Sequence, residues 1–250
     1  MCSRRLALQG DVLPEIAVPL GAGRQESQRT LYRHPIAKYL AGPRQNRVDP
    51  FGSLVADPAR GSLMGNRGAL HNDEGEITKF HKGNRWIFCE LEFKDRKREL
   101  MQPGQYTELF FLDEATAFAA GHRPCMECMR ERAVEFRDAW AATNLNADGS
   151  HVRLPMMDAM LQRERIGADG VRKTGKVKIS GLPDGVMVVP ESSEAPHLLD
   201  SGRMYRWSFA GYGAPVATKP DQSVTVLTPR SVVKTFKAGF APHTDRDSQE

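Results

Sequence analysis

Apolar and polar residues alternate along RWIFCELEF, residues 85–93. This period of two predicts a strand whose interior carries Cys89 on the same face as Ile87 and Leu91. YTELFFL, residues 106–112, predicts a second strand. Upstream, GALH and EITKF flank NDEG, whose Asn, Asp and Gly tolerate the backbone of a tight turn, so that a hairpin is expected there.

A helical pattern follows the second strand. DEATAFAAG predicts a short helix with Asp113 as its N-cap and Gly121 as its left-handed C-terminal residue. A longer helix is expected from about Met126 to Thr143, and NLNADGSH ends it. Further on, LPMMDAMLQRERIG and PRSVVKTFKAG predict helices, whereas VKISGL, GVMVV, RMYRWSF and SVTVLT predict strands separated by turns rich in Gly and Pro.

Composition is that of an ordinary globular protein, with 250 residues, 40% hydrophobic and 26% charged. No run approaches the roughly 18 apolar residues of a membrane span. Asp11, Pro14 and Glu15 interrupt the apolar N-terminal stretch, so no secretion signal is expected, and the cytoplasm is the expected compartment. Four cysteines in a chain of this length do not indicate a disulfide framework.

Two of these cysteines form a CxxC motif in HRPCMEC, with Cys125 and Cys128 at the entrance of the longer helix. A redox pair of this kind normally follows a strand in a thioredoxin-like βαβ unit, but here a short helix precedes it. With Cys89 on a neighbouring predicted strand, three sulfur ligands favour a tetrahedral Zn²⁺ site.

The fourth ligand is left open by the sequence. His71, at the end of the first hairpin strand, is the preferred candidate, followed by His81 and then His122. A carboxylate such as Glu90, or a water molecule, would instead leave an open and reactive coordination position.

These elements predict an α+β fold. A loosely ordered arm is expected over residues 1–60, with a short helix around TLYRHPIAKYL. Residues 61–145 are expected to form a small β-hairpin and helix module stapled by zinc, and residues 151–243 a mainly β C-terminal region.

RWIFCELEF and YTELFFLDEATAFAAGHRPCMECMRERA together resemble the metal-binding domain of the Ada methylated-DNA repair protein, over about residues 84–135. The resemblance implies a Zn²⁺–thiolate site in a small α+β module that sits on DNA. It places Cys89 where that family has its methyl-accepting cysteine. The second cysteine of the family's first pair falls on Phe93, and this departure puts methyl transfer in doubt, because a neutral fourth ligand makes the remaining thiolates less nucleophilic.

Basic residues cluster around the cysteines, although the formal net charge is only +4. Such patches suit a polyanion, so nucleic acid, most simply DNA, is the expected partner in a repair or processing role. The residues expected to contact it are Arg85, Lys94, Arg96, Lys97, Arg98, Arg123 and Arg130.

Two other functions fit the same residues. GNRGALHND places His71 in a hairpin of the kind found in some metal-dependent nucleases, so a nuclease or another hydrolase is one alternative. A zinc-stapled interaction module without chemistry is the other, and the sequence leaves the question of catalysis open.

Overall fold

The computed structural model describes residues 15–17, 42–95, 99–167 and 170–248. The helix expected around TLYRHPIAKYL lies outside these residues. The strands are β1 (Glu15–Ala17), β2 (Gln45–Val48), β3 (Leu54–Ala56), β4 (Leu63–Asn66), β5 (Ile87–Glu90), β6 (Leu109–Phe111), β7 (Arg123–Pro124), β8 (Lys173–Lys178), β9 (Met187–Pro190), β10 (His197–Asp200), β11 (Arg203–Ser208), β12 (Gly211–Ala217) and β13 (Ser223–Val226). The α-helices are α1 (Glu114–Ala119), α2 (Arg130–Leu145), α3 (Leu154–Arg165) and α4 (Arg230–Lys237).

A mixed sheet in the strand order β3-β2-β6-β4-β5-β7 occupies the N-terminal part of the described chain. Its β2–β6 and β5–β7 pairs are parallel and the other pairs are antiparallel. Strands β2 and β3 fall within the segment expected to be a loosely ordered arm. In the expected hairpin, His71 and Ile77 form an isolated antiparallel bridge and no longer strand pair.

The second sheet has the order β1-β8-β13-β9-β10-β11-β12, and all of its pairs are antiparallel. Together with the helices, the two sheets confirm the expected α+β class. Strand β12, with the sequence GYGAPVA, was missed because Gly and Pro weaken the strand pattern. Pro215 is tolerated there because β12 is the last strand of its sheet, and a missing N–H costs nothing on an edge.

Helix α1 begins and ends as its sequence predicts. The Asp113 carboxylate accepts a hydrogen bond from the Thr116 backbone N–H at 2.8 Å, which caps the helix. At the other end Gly121 has a φ of +86°, and the next amide, that of His122, donates to the Ala117 carbonyl. All six residues of α1 are buried.

The apolar core is continuous between the two sheets. One cluster contains Phe88, Phe118 and Trp140 together with Val186, Val224 and Phe236 of the C-terminal region. A second cluster joins Ala115 and Ala119 of α1 to the inner face of β9–β11. None of the described helices is both long and apolar enough to cross a lipid bilayer.

Candidate metal centre

Three cysteine side chains converge at one end of the mixed sheet. The Sγ atoms of Cys89, Cys125 and Cys128 all lie within 4.8 Å of one another. Cys89 and Cys125 are buried and Cys128 is partly exposed. The sequence prediction that these three residues form one site is therefore matched by their arrangement in space.

Strand pairing brings Cys125 to Cys89, although 36 positions separate them in the sequence. The two-residue strand β7 pairs in parallel with β5, and Phe88 is the partner of Pro124. The Cys125 amide then donates to the Phe88 carbonyl at 2.9 Å. The residue after Phe88 and the residue after Pro124 are thus neighbours, and both are cysteines.

The CxxC segment itself folds as a turn that precedes α2. The Met129 amide donates to the Cys125 carbonyl at 3.1 Å, so residues 125–129 curve before the helix begins. This turn explains why α2 starts at Arg130 and not near Met126, where the sequence pattern placed it. The Glu127 amide donates to Cys125 Sγ at 3.4 Å, which fixes the sulfur against the backbone.

Hydrogen bonds among the three thiols shift their pKa values in different directions. Those from Cys128 and then Cys89 lower the pKa of Cys125, and the Glu127 amide lowers it further. The bonds of Cys89 to Cys125 and then to Cys128 raise the pKa of Cys89, where burial adds to the effect, and the bond to Cys125 raises the pKa of Cys128. Cys125 is therefore the first of the three to ionise, and a bound cation would displace the protons of the other two.

The cluster fits a soft or borderline metal ion such as zinc. In a tetrahedral site, Zn–S bonds of about 2.3 Å put the sulfur atoms about 3.8 Å apart. The three Sγ atoms lie within 4.8 Å of one another before any ion has drawn them together. Thiolates prefer Zn²⁺ to hard cations such as Mg²⁺ or Ca²⁺.

The structure does not bring His71 to this cluster. Its Nε2 lies 3.0 Å from the Gln102 carbonyl, so this nitrogen carries the hydrogen, and its Nδ1 lies 2.6 Å from the Thr107 hydroxyl. Both ring nitrogens are thereby engaged, and His71 is absent from the group of metal-binding side chains found in the described part of the chain. The proposed fourth ligand from the hairpin is thus not in place.

The other two candidate histidines also lie apart from the sulfurs. His81 Nδ1 lies 3.2 Å from the Gly83 carbonyl, and its ring packs against Trp86. His122 is buried, and its Nε2 accepts from Arg67 Nε at 3.1 Å. Burial first, and then the positive charge of Arg67, hold the pKa of His122 well below its usual value, so it is neutral.

A cavity of about 660 Å³ adjoins the cysteine cluster. Its floor is the face of the mixed sheet that carries Cys89, and the loop between β5 and β6 supplies a second wall. Besides the cysteines, the lining includes Met64, Asn66, Arg85, Ile87, Glu90, Leu91, Phe93, Leu100, Tyr106, Glu108, Phe110, Arg123, Met126, Glu127 and Leu154. The sulfurs therefore face a space of small-molecule size, a common setting for reactive metal centres.

The basic residues expected to meet nucleic acid are dispersed. Arg85 is exposed on the cavity, and Arg130 is exposed at the start of α2. Lys94 is also exposed, with Nζ 4.9 Å from the centre of the Phe93 ring. Arg123 is buried, and its Nε and Nη2 bind both oxygens of Asp158 at 2.7 and 2.9 Å, so its charge is already neutralised.

Residues 96–98, the rest of the expected basic cluster (Arg96, Lys97 and Arg98), lie outside the described residues. The sequence reasoning missed two polar residues of the cavity floor, Asn66 and Glu108. The signal for Glu108 was present, because in YTELFFL the alternation puts Glu108 and Phe110 on one face. The signal for Asn66 was not, because its position depends on which strands are neighbours.

Comparison of the chain with protein-family models, with curated proteins and with solved structures gives no match. The resemblance to the Ada metal-binding module therefore stays a prediction from the sequence. The three-cysteine cluster is an observation of the structure and does not depend on this resemblance.

Proposed function

We propose that the protein binds Zn²⁺ through Cys89, Cys125 and Cys128 and uses this centre in contact with nucleic acid, most simply DNA, in a repair or processing role. The proposal of zinc binding is supported by the three Sγ atoms, which lie within 4.8 Å of one another. Three reduced thiols also suit the reducing cytoplasm as the working compartment.

The cavity beside the cysteines favours a zinc site in which one coordination position is free of protein ligands. Catalytic zinc sites typically have three protein ligands and a fourth position for water or substrate. The described residues supply three sulfurs, and all three cysteines line the cavity. A bound Zn²⁺ would supply Lewis acidity or a nucleophilic thiolate there, and the surrounding side chains would position what it acts on.

The loop between β5 and β6 favours a nucleic-acid partner. It contributes Leu91, Phe93, Leu100 and Tyr106 to the cavity, and the same loop carries Lys94 and the basic residues 96–98 in its sequence. With Arg85 exposed on the same cavity, phosphates bound along this rim would lie beside the metal centre.

Zinc binding is tested by metal analysis of the purified chain. About one Zn²⁺ per chain is expected. Serine variants of Cys89, Cys125 and Cys128 should each lose zinc, whereas His71→Ala should keep it. A zinc-free wild-type protein after purification without chelator, or zinc retained in the Cys125→Ser/Cys128→Ser double variant, would refute the site.

Nucleic-acid binding is tested by fluorescence anisotropy with labelled DNA over a range of salt concentrations. Affinity should fall steeply with salt, and Arg85→Ala should reduce the slope of log K against log[salt] by about 1. Lys219→Ala, an exposed charge in the connection between β12 and β13, serves as the matched control. Absence of binding, or equal changes in both variants, would contradict the proposal.

A further inference from the structure

The floor of the cavity is an ordered array of side chains from three neighbouring strands. Pairing of Cys89 with Met64, and of Met64 with Phe110, puts these three residues in one row on one face. Ile87 pairs with Asn66 in the next row. Because Gly65 pairs with Leu109, Glu108 lies opposite Asn66 and completes that second row.

The second row places a hydrogen-bond donor beside an acceptor. Asn66 Oδ1 accepts from the Gly68 amide at 2.7 Å, which leaves the amide nitrogen of this cavity-lining side chain as its donor. Glu108 is buried, and its Oε2 accepts from the Met101 amide at 2.8 Å. Directly opposed residues on antiparallel strands have Cβ atoms about 5 Å apart. The Asn66 amide and the Glu108 carboxylate can therefore contact the same edge of a planar ligand.

Aromatic side chains flank this polar pair. Phe110 lies in the floor on the far side of Met64 from Cys89, and Phe93 and Tyr106 lie in the wall formed by the loop between β5 and β6. Flat rings next to a fixed donor and acceptor are the means by which proteins hold an unstacked base. A phosphate would meet the Glu108 carboxylate and be repelled, and an acyl chain would leave the polar pair unsatisfied.

We propose that this cavity takes a single unpaired nucleobase, whose edge is bound by Asn66 and Glu108 and whose ring packs on Phe110. The inference rests on the proposed nucleic-acid function and deepens it by naming the part of the nucleic acid that enters. In an intact duplex these edges are engaged by the opposite strand and the ring is stacked, so only an extruded or bulged base is available.

The row of the cavity floor next to Asn66 and Glu108 contains Cys89. Cys89 is one strand across and one row along from Asn66, so a base held by the polar pair lies next to the thiolate cluster. Arg85, exposed on the same cavity, is available to the adjoining phosphate. The site is thus arranged to bring a base, and not the sugar-phosphate backbone, to the metal centre.

The test compares three labelled DNA duplexes with the zinc-loaded full chain by anisotropy. One duplex is fully matched, one carries a single bulged adenine, and one carries an abasic residue in that bulge. Since stacking one base on an aromatic side chain contributes roughly 1–3 kcal/mol, the bulged base should bind about 5- to 150-fold tighter than the other two.

Two isosteric variants test the polar pair. Glu108→Gln keeps an oxygen for the Met101 amide, and Asn66→Asp keeps one for the Gly68 amide, so both should fold and keep zinc. Each should lower the preference for the bulged base over the matched duplex to about 2-fold or less. Glu194→Gln, an exposed carboxylate away from the cavity, is the control and should keep the preference.

The outcomes separate this inference from the function on which it rests. Salt-dependent binding with equal affinity for all three duplexes overturns the base site alone. An undiminished preference in both isosteric variants, or an abasic bulge that binds as tightly as the adenine bulge, does the same. If none of the duplexes binds to zinc-loaded protein, both proposals are overturned.

Discussion

Removing the negative charge of Asp158 should destabilise the protein strongly, because this carboxylate neutralises a buried guanidinium. Arg123 and Asp158 are both about 95% buried or more, and two hydrogen bonds of 2.7 and 2.9 Å join them. Asp158 also opposes the burial that lowers the pKa of Arg165 to about 9. Breaking one side of a buried ion pair typically costs 3–5 kcal/mol, and with two guanidiniums facing Asp158 the upper end is expected for Asp158→Asn.

The effect should reach the metal centre because Arg123 belongs to β7. That strand places Cys125 beside Cys89, so loosening it should weaken zinc affinity as well as stability. In a thermal unfolding experiment, about 3–5 kcal/mol corresponds to a fall in Tm of roughly 6–20 °C for a chain of this size. Zinc affinity is measured in parallel by competition with a chromogenic chelator.

Two control variants accompany Asp158→Asn. Glu135→Gln breaks an exposed ion pair with Arg132 and should change the unfolding free energy by less than about 1 kcal/mol. The double variant Arg123→Met/Asp158→Leu replaces the pair with apolar side chains and should recover part of the loss, because Arg165 still lacks the Asp158 charge. If Asp158→Asn unfolds within about 1 kcal/mol of the wild type, the charge of Arg123 does not depend on Asp158 and the reasoning is refuted.

Three further predictions concern protons and backbone. Burial raises the pKa of Asp49 from 3.8 to about 6, so the folded state binds this proton more tightly and the unfolding free energy should rise by about 2.4 kcal/mol as pH falls from 7 to 4. The pH series of Asp49→Asn should lack this component. Gly121→Ala should lower the free energy of unfolding in denaturant by about 2–4 kcal/mol, because φ is +86° and a Cβ would strike Arg165. Gly104→Ala, at a φ of +74° with open space around it, should lower it by less than half as much. Because the pKa of Cys125 is lowered and those of Cys89 and Cys128 are raised, Zn²⁺ binding near neutral pH should release about two protons, measured with a pH indicator, and release of about three would contradict the lowered pKa of Cys125.

The parts of the fold that the sequence predicts well are those with local signals. Asp113 and Gly121 mark the ends of α1 because a side-chain cap and a left-handed residue act within one helical turn. The CxxC spacing likewise determines its own turn. Cys89 could be added because alternation shows it within a strand, even though its distance from Cys125 depends on strand pairing.

His71 lies in an isolated bridge of the expected hairpin, and the loop at 102–107 engages both of its ring nitrogens. No local pattern indicates that contact. The parallel pairing of β2 with β6 is equally invisible, since it joins Arg47 to Phe110 across more than 60 residues.

The packing around α1 constrains when the apolar shell of this helix is completed during synthesis. The Phe118 ring meets Phe236 and Phe240, with centroids 5.4 and 5.7 Å away, so the shell around the helix closes only with residues near the C-terminal end of the described chain. A ribosome-bound chain that has already exposed all three cysteines still lacks these side chains. Helix α1 therefore lacks part of its apolar shell until residues 236–240 have been synthesised, and the Phe118 ring stays exposed on the growing chain until then.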